Sequence, residues 1–322
     1  MANTSRTEIT AENTSFYSRE LLERAKPAIV HDRWAQVRDL PKTSGTDTMK
    51  FRRYGSLAVN TTPLTEGVTP EGKQGSVTDV TATILYYGDF ITLTDKLQYE
   101  TIDPILTEFA GVLGDQAGES LDEVCRDIMV AGDTVQYAST AAARTDVTAA
   151  MKLTRSEVKE AVRTLRGQNA KPVTRMIDPN DSYNTVPVGR SFIGIVSEDT
   201  AYDLDDAEGW IPVEKYPNPR MAMEDEIGSL ANVRFVMSTK AKVYSAGGSG
   251  SVDVHATLIF GQNAYGVSRL SGEAMRNIIK PLGSAGTADP LEQRATTGWK
   301  ATFVAKILNQ NWMVRIEHGV TG

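Results

Sequence analysis

The alternation of apolar and polar positions predicts a β-hairpin between Thr48 and Asp95. Its first strand is "TMKFRRYGSLAV" and its second is "VTDVTATILYYGDFITLT". The side chains of the second strand divide between two faces, with Val80, Ala82, Ile84 and Tyr86 on one and Thr81, Thr83, Leu85 and Tyr87 on the other. The segment Asn60–Ser76 between the strands, here called the tip loop, is rich in glycine and proline, so we expect it to be flexible.

The predicted hairpin is long for a chain of this size. Strands of about 14 residues reach roughly 45 Å, whereas a globule of this length has a radius of gyration of roughly 20 Å. We therefore expect the hairpin to project from the body.

A long helix is predicted over Pro104–Ala131, with Asp103 as N-cap and Gly132 as the C-terminal stop. Its length would be roughly 42 Å. Three internal glycines predict close packing or a bend. Apolar residues recur at three- and four-residue spacing, namely Ile105, Phe109, Val112, Leu113, Ala117, Leu121, Val124, Ile128 and Met129.

The rest of the chain predicts one further helix and many short strands. The helix begins at a capping box, Thr154 to Glu157, and ends at Gly167. Strands follow at "SFIGIV", "VRFVM", "KVYS", "DVHATLIFG" and "AYGVSRL". The segment "ATFVAKILNQNWMVRIE" predicts a closing hairpin with its turn at Asn309–Asn311.

Composition indicates a folded protein. Of 322 residues, 40% are hydrophobic and 23% are charged. No apolar run approaches the roughly 18 residues needed to cross a bilayer, and no secretory signal is visible at the N-terminus, so we expect no membrane association. The single cysteine, Cys125, cannot form an intramolecular disulfide.

The net charge of −7 is unevenly spread. The segment Glu198–Glu226 contains ten acidic residues against Lys215 and Arg220. The chain up to Arg53 is mildly basic, with ten Lys or Arg against seven Asp or Glu. This balance argues against sequence-specific nucleic-acid binding.

No catalytic, metal or cofactor site can be assigned from the sequence. The histidines His31, His255 and His318 lie far apart along the chain, and none sits in a His/Cys cluster of metal spacing. We expect His255 to be a structural histidine within a strand and Cys125 to be a packed core residue. The acidic group Asp203, Asp205, Asp206 and Glu208 does not match the calcium-loop pattern.

The hairpin requires an apolar partner, because an isolated two-stranded ribbon is marginal in water. The side chains that need cover are Ile84, Leu85, Tyr86, Tyr87, Phe90 and Ile91. A neighbouring copy of the chain could supply it through a heterologous contact that closes into a ring. The alternative is a hairpin folded back on its own domain.

The order of these parts resembles the major capsid protein of tailed bacteriophages, which has the Hong Kong 97-type fold. The amino-acid sequence is similar to those of the family typified by the coat protein of the coliphage called N-four. The resemblance rests on "PLTEGVTPEGKQGSVTDVTATILYYGDFITLTD", similar to that family's extended loop, and on "DPLEQRATTGWKATFVAKILNQNWMVRIEHG", similar to its C-terminal segment.

The resemblance implies an α+β fold in four parts. Residues 1–47 would form an N-terminal arm and residues 48–95 the extended β-hairpin loop. Residues 96–150 and 275–322 would form a peripheral domain with a long spine helix, and residues 151–274 an axial domain around the five- and six-fold axes. In that position the acidic segment would face solvent, bind cations, or be offset by Lys215 and Arg220 of neighbours.

The resemblance also implies a structural, non-enzymatic role. The chain would assemble into hexamers and pentamers of an icosahedral head shell around double-stranded DNA, in the host cytoplasm. Further partners would be a separate scaffolding protein, a portal and decoration proteins, with only non-specific DNA contact. Some relatives form a Lys–Asn isopeptide link between subunits. Lys73 is the lysine to test here, and no partner residue can be assigned.

Two other functions remain open from the residues. One is a β-rich virion accessory or adhesion protein that forms a small closed oligomer. The other is a hydrolase whose site lies at the acidic loops, in which case Asp203, Asp205 or Asp206→Asn would abolish turnover.

Overall fold

The computed structural model describes residues 29–42, 45–55, 57–96, 105–177, 185–216, 222–272, 274–284 and 289–321. Residues 1–28 of the predicted arm, the N-cap Asp103 and the cation Arg220 therefore lie outside the described residues.

The described residues form many strands and few helices. The helices are α1 (Ile105–Val130), α2 (Arg155–Gly167) and α3 (Glu198–Asp205), with short 3₁₀ turns at Arg144–Asp146, Val213–Lys215 and Gln310–Trp312. The strands of the first half are β1 (Gln36–Val37), β2 (Thr48–Tyr54), β3 (Val77–Thr83), β4 (Leu85–Thr94), β5 (Val135–Tyr137), β6 (Val173–Ile177) and β7 (Thr185–Val196). The later strands are β8 (Ile211–Pro212), β9 (Glu226–Leu230), β10 (Val233–Met237), β11 (Val243–Tyr244), β12 (Val254–Phe260), β13 (Tyr265–Ser268), β14 (Met275–Lys280), β15 (Arg294–Ile307) and β16 (Met313–His318).

Two sheets and one separate ribbon organise these strands. The first sheet has the order β1-β13-β15-β14, with β4 also paired to β15. The second has the order β5-β16-β12-β7-β10-β9-β8, with β11 on β12 and β6 on β7. Strands β2 and β3 form a two-stranded ribbon of their own. The architecture is therefore a mixed α/β one in which strands dominate.

The predicted hairpin is confirmed only in its first half. Strands β2 and β3 pair in antiparallel register from Thr48↔Thr83 to Tyr54↔Val77. The chain then changes partner at Ile84, because β4 pairs with β15 from Leu85↔Phe303 to Thr94↔Arg294. Seven residues per strand reach about 24 Å, so the prediction of a 45 Å hairpin was wrong.

After this change of pairing partner, the side chains that face the core are the opposite set from those that the alternation predicts. Ala82 and Ile84 are buried as the alternation predicts, but beyond Ile84 it is Tyr87 that turns towards the core, while Tyr86 is exposed. The pattern of the sequence identifies each strand, but it does not show where one strand ends and the next begins.

The predicted closing hairpin is wrong. Strand β15 pairs with β13, β14 and β4, whereas β16 pairs with β12 and β5 in the other sheet. The turn at Gln310–Trp312 therefore carries the chain from one sheet to the other. A turn flanked by two alternating strands predicts a hairpin from local information alone, and distant partners override it here.

The long helix is confirmed over Ile105–Val130. Leu113, Ala117, Leu121 and Met129 are buried as its spacing predicts, but Val112 is 54% exposed. Gly111, Gly114 and Gly118 are buried, as close packing of the helix requires.

Helix α2 forms as its capping box predicts. A side-chain oxygen of Glu157 accepts a hydrogen bond from the backbone N–H of Thr154 at 2.6 Å, which satisfies a donor at the start of the helix. The other oxygen accepts from the backbone N–H of Ser139 at 2.7 Å. The apolar side of the helix, Val158, Ala161, Val162 and Leu165, is buried.

The core is divided into two clusters that lie against different faces of the second sheet. The first contains α1 residues together with Val236 of β10. The second contains the buried side of α2, Leu204 of α3, and Val233 and Phe235 of β10. Because successive residues of a strand face opposite sides, β10 separates the two clusters.

The carboxylate of Glu157 should contribute strongly to the stability of the fold. We predict that Glu157→Ala lowers the free energy of unfolding by about 2 kcal/mol, because it leaves two backbone donors without their acceptor. Glu160→Ala, on the exposed side of the same helix, should change it by less than about 0.5 kcal/mol. Urea unfolding of the purified chain would measure both, and equal effects would contradict the proposed role of Glu157.

Candidate assembly surfaces

The tip loop lies away from the rest of its own chain. Leu64 is 75% exposed and Val68 is 63% exposed. Within the described part of the chain, a Cβ added at Gly67, Gly72 or Gly75 would meet no atom within 4 Å. Apolar side chains on a detached loop make a contact surface rather than a core.

The hydrogen bonds of the tip loop are local. The backbone N–H of Val68 donates to the carbonyl of Thr65 at 3.1 Å, and the ammonium of Lys73 donates to the carbonyl of Ala58 at 2.6 Å. Lys73, the lysine singled out by the sequence, is thus held in the exposed loop. An isopeptide link through it stays a prediction to be tested.

The base of the ribbon is anchored to the body, in contrast to its tip. Phe51 and Ile84 are each 4% exposed, and the ring of Phe51 lies against Gly266 of β13. The backbone N–H of Ile84 donates to the carbonyl of Asp47 at 2.9 Å. The ribbon therefore has a fixed origin and a free apolar end.

A second exposed apolar surface lies on β4. Leu85, Tyr86 and Phe90 are between 53% and 66% exposed, and a cavity of about 470 Å³ opens beside them against β14 and β15. The ammonium of Lys300 lies 4.8 Å from the centre of the Tyr86 ring, within cation–π range.

Only some of the residues predicted to need an external partner are left exposed by their own chain. Ile84 is buried, and Tyr87 and Ile91 pack against the first core cluster of the same chain. Leu85, Tyr86 and Phe90 remain exposed. The sequence alone could not separate these two groups, because β15 lies some 200 residues away along the chain.

A buried carboxylate on α1 holds the described end of the N-terminal arm. One oxygen of Asp122 accepts from the backbone N–H groups of Val30 and His31 at 2.7 and 2.6 Å. The other contacts Nδ1 of the His31 ring at 2.7 Å. Strand β1 then pairs in parallel with β13. These contacts hold the described part of the arm against the body.

The thiol of Cys125 lies beside this anchor and is fully buried. It lies 3.5 Å from the carbonyl of His31, and burial raises the pKa of the thiol well above its usual value. A thiol that resists ionisation is a poor nucleophile. The prediction that Cys125 is a core residue is confirmed.

The acidic segment is offset mainly by cations of its own chain. Asp225 pairs with Arg33 at 3.0 Å, and Asp203 pairs with Lys152 at 3.1 Å. Glu226 accepts two hydrogen bonds from Arg234, at 2.6 and 2.5 Å. The sequence alone could not pair these acids with Arg33, Lys152 and Arg234, because most of these partners are distant in the chain.

The structure brings two of the three histidines together. His255 and His318 are register partners on β12 and β16, and their ring centres lie 6.4 Å apart. The two residues lie far apart along the chain, so the sequence alone does not reveal this contact. Only knowledge of which strands pair could have revealed it.

Each of these histidines has a structural hydrogen-bond partner. Nδ1 of His255 contacts the hydroxyl of Ser197 at 2.7 Å, and that hydroxyl accepts from the backbone N–H of Thr200 at the start of α3. Nδ1 of His318 donates to the carbonyl of Gly319 at 2.9 Å, so its Nε2 accepts from the hydroxyl of Thr257 at 2.9 Å. The prediction that His255 is a structural histidine is confirmed.

Among the described residues, no group of three His, Cys, Asp or Glu side chains is placed to hold a metal ion. Within the same residues, no helix is both long enough and apolar enough to cross a membrane.

The fold is similar to that of solved bacteriophage capsids. The capsid of Ralstonia phage GP4 matches with a TM-score of 0.67 at 14% identity, over 91% of this chain and 93% of that chain. The head structure of Helicobacter pylori bacteriophage KHP40 matches with a TM-score of 0.64 at 13% identity, over 91% and 88%. The capsid of the Cyanophage P-SCSP1u matches with a TM-score of 0.63 at 12% identity, over 91% and 89%.

No family model and no curated protein matches the sequence. The likeness is therefore one of structure, and it extends over about nine-tenths of each chain. The protein has the fold of bacteriophage capsid proteins.

The anchor at Asp122 gives a prediction about the arm. Asp122→Ala should release residues 29–34, because three hydrogen-bonding groups lose their acceptor in a buried site. Hydrogen exchange at the amides of Val30 and His31 should become at least about tenfold faster. Asp115→Ala, an exposed change on the same helix, should leave both amides protected, and unchanged protection in Asp122→Ala would contradict the anchor.

The buried histidines give a prediction about acid. Burial lowers the pKa of His318 to about 4, from an unfolded value near 6.5, and also lowers the pKa of His255. The folded state thus favours neutral rings, so the stability that they contribute is fully present above pH 6.5 and is lost as the pH falls towards 4.

The measurement is thermal unfolding between pH 7 and pH 4 for the natural chain and for His318→Gln. A pKa displaced this far corresponds to about 3 kcal/mol at pH 4. The natural chain should therefore lose more stability over this range than the variant, which carries no titrating ring at position 318. If stability fell equally with pH in the natural chain and in the variant, the lowered pKa of His318 would be contradicted.

Proposed function

We propose that this protein is a bacteriophage major capsid protein, which self-assembles into the icosahedral head shell around double-stranded DNA. The observation that carries the proposal is the likeness to solved phage capsids over about nine-tenths of the chain. A likeness confined to one sheet could reflect a common architecture, but this one covers 91% of the chain.

We further propose the Hong Kong 97-type fold and a relationship to the N-four coat protein family. The order of the elements supports the first, with a ribbon ahead of a long helix and a long strand, β15, returning beneath that helix. The sequence segments in the tip loop and at the C-terminus support the second.

The proposed division of the chain has four parts. Residues 1–47 form the arm, residues 48–95 the extended loop, residues 96–150 and 275–322 the peripheral domain, and residues 151–274 the axial domain. The two separate sheets support a body of two parts. Strand β16 links them, since it follows β15 in the chain but pairs in the second sheet.

Assembly is proposed to proceed through heterologous contacts, in which the ribbon of one subunit covers the next. The free apolar tip and the exposed aromatic residues on β4 are the surfaces that support this. Such contacts close into rings when the rotation between subunits allows, and hexamers and pentamers are the rings that an icosahedral shell uses. The proposed location is the virion shell, assembled in the host cytoplasm.

The role is structural rather than enzymatic, as the likeness to capsid proteins supports. A scaffolding protein, a portal and decoration proteins are the proposed partners, with non-specific contact to packaged DNA.

Electron microscopy of the purified recombinant chain tests the function directly. Shells, or rings of five or six subunits, are the expected result. A discrete trimer or another small closed oligomer would contradict it and would favour an accessory or adhesion protein.

The tip loop should be needed for assembly but not for folding. We predict that the double variant Leu64→Ser and Val68→Ser unfolds at the same temperature as the natural chain, because neither side chain packs on its own body. Its yield of shells should fall at least about tenfold, since two buried apolar contacts of about 1 kcal/mol or more are lost at every subunit interface.

The matched control is Thr65→Ser and Thr69→Ser, which changes the same loop without removing a large apolar side chain. Normal shells from the Leu64 and Val68 variant would show that the loop is not an assembly surface.

A further inference from the structure

The side of the first sheet that faces away from α1 is exposed. Trp299 and Ala301 of β15 pack in the same core cluster as α1. The residues that alternate with them, and their register partners on β4 and β14, therefore lie on the opposite side. Two aromatic residues on that side, Tyr86 and Phe90, are 62% and 66% exposed. We call this side the outer face.

The cavity of about 470 Å³ opens on the outer face, where two glycines leave room between larger side chains. Gly88 lies between Tyr86 and Phe90 along the same side of β4, so the two rings are separated by a gap. Gly298 lies opposite Phe90 on β15, where a Cβ would come within 2.6 Å of the Cβ of Phe90. Ile278 of β14 adds a further apolar wall. A cavity of this volume can enclose side chains of another molecule.

Cations surround this cavity. The cations at exposed positions of the outer face are Arg276, Lys280, Arg294 and Lys300. No acid occupies an outward position of the three strands. Asp89 lines the cavity, but its carboxylate is turned towards α1, where it accepts from the side-chain amide of Gln116 at 2.7 Å. In the part of the chain that the structure describes, Lys280, Arg294 and Lys300 make no ion pair. The outer face is therefore cationic around an apolar cavity.

The tip loop has the complementary character. It carries two exposed acids, Glu66 and Glu71, against one cation, Lys73, which is hydrogen-bonded within the loop. Neither acid makes an ion pair with another described residue. Glu66 lies between the exposed aliphatic residues Leu64 and Val68. An acidic loop with aliphatic side chains matches a cationic face with an apolar cavity.

A single chain leaves both surfaces uncovered. Its own tip loop lies away from its body, since a Cβ added at Gly67 would meet no atom within 4 Å. Its own outer face keeps Tyr86 and Phe90 exposed. A second copy of the chain can cover each surface with the other. Because the two surfaces differ, the contact is heterologous and can continue from subunit to subunit around a ring.

We propose that the outer face receives the tip loop of a second copy of this chain. Leu64 enters the cavity between Tyr86 and Phe90, and Glu66 and Glu71 face the surrounding cations. The inference rests on the proposed function, and it deepens it by naming the surface that the ribbon of one subunit covers. An apolar centre with a charged rim is the arrangement of a protein interface. Duplex DNA would offer phosphate charge to the cations but no aliphatic side chain to the cavity.

Two single-cysteine variants of the full chain test the docking. Thr65→Cys places a thiol beside Leu64, and Thr296→Cys places one in the cavity, while the natural Cys125 stays buried. The two purified variants are mixed, assembled and oxidised, and then run on a non-reducing denaturing gel. A disulfide-linked dimer that forms in the mixture, and in neither variant alone, is the expected result.

The control pair combines Thr65→Cys with Val112→Cys, an exposed site on α1 and so on the other side of the first sheet. Shells that assemble without the dimer from the Thr65 and Thr296 mixture would overturn the docking and leave the proposed function intact. An equally strong dimer from the control pair would overturn the docking as well. A chain that assembles no shells or rings at all would contradict the proposed function itself.

Charge reversal provides an independent measurement. Glu66→Lys with Glu71→Lys should lower the yield of rings about tenfold. Lys280→Glu with Lys300→Glu in the same chain should restore most of it, because the charges of the two surfaces are then exchanged. Failure of this exchange to restore assembly would overturn the pairing of the loop with the outer face.

The matched control for charge reversal is Glu108→Lys with Asp115→Lys, which reverses two exposed acids on α1. This control should leave the yield of rings unchanged, and an equal loss would overturn the specific pairing.

Binding of DNA to the outer face would give a different pattern. Lys280→Glu with Lys300→Glu alone would then leave the yield of rings unchanged, and it would abolish the retardation of duplex DNA by the free subunit on a native gel. That pattern would overturn the proposal.

Discussion

The account depends on one contrast within the β2–β3 ribbon: the apolar side chains at its base are buried, and those at its tip are exposed. Its base is buried by its own chain, through Phe51 and Ile84, and its tip is not, since Leu64 and Val68 face open space. A two-stranded ribbon gains too little from its own hydrogen bonds and side-chain pairs to be independently stable in water. The anchored base sets the direction of the ribbon, and the exposed tip supplies the apolar surface that another molecule can cover.

The rigid element beneath this ribbon is the pairing of β4 with β15. Ten residue pairs join the two strands, and α1 packs across the buried side of β15 through Ala301, Phe303 and Ala305. Asp122 of the same helix holds the arm. The ribbon, the helix and the arm thus share one base.

The local pattern of the sequence predicted the helices and most strands of the fold. It failed where pairing between distant strands determines the structure. The capping box at Thr154 and Glu157 and the long helix were correct because their signals lie within a few residues. The hairpins were wrong wholly or in part because Ile84 and Gln310–Trp312 lie where the chain moves from one pairing partner to another. The pairing of His255 with His318 and the cations that offset the acidic segment were missed for the same reason. The exposed tip loop could be predicted, since glycine, proline and isolated apolar residues leave little to form a core.

Hydrogen exchange of the tip loop tests the central claim most directly. The amides of Leu64 to Gly75 would be compared between the free subunit and the purified particle. The account predicts rapid exchange in the free subunit and at least about tenfold slower exchange in the particle, because a neighbouring copy covers the loop. Equally rapid exchange in both would contradict it.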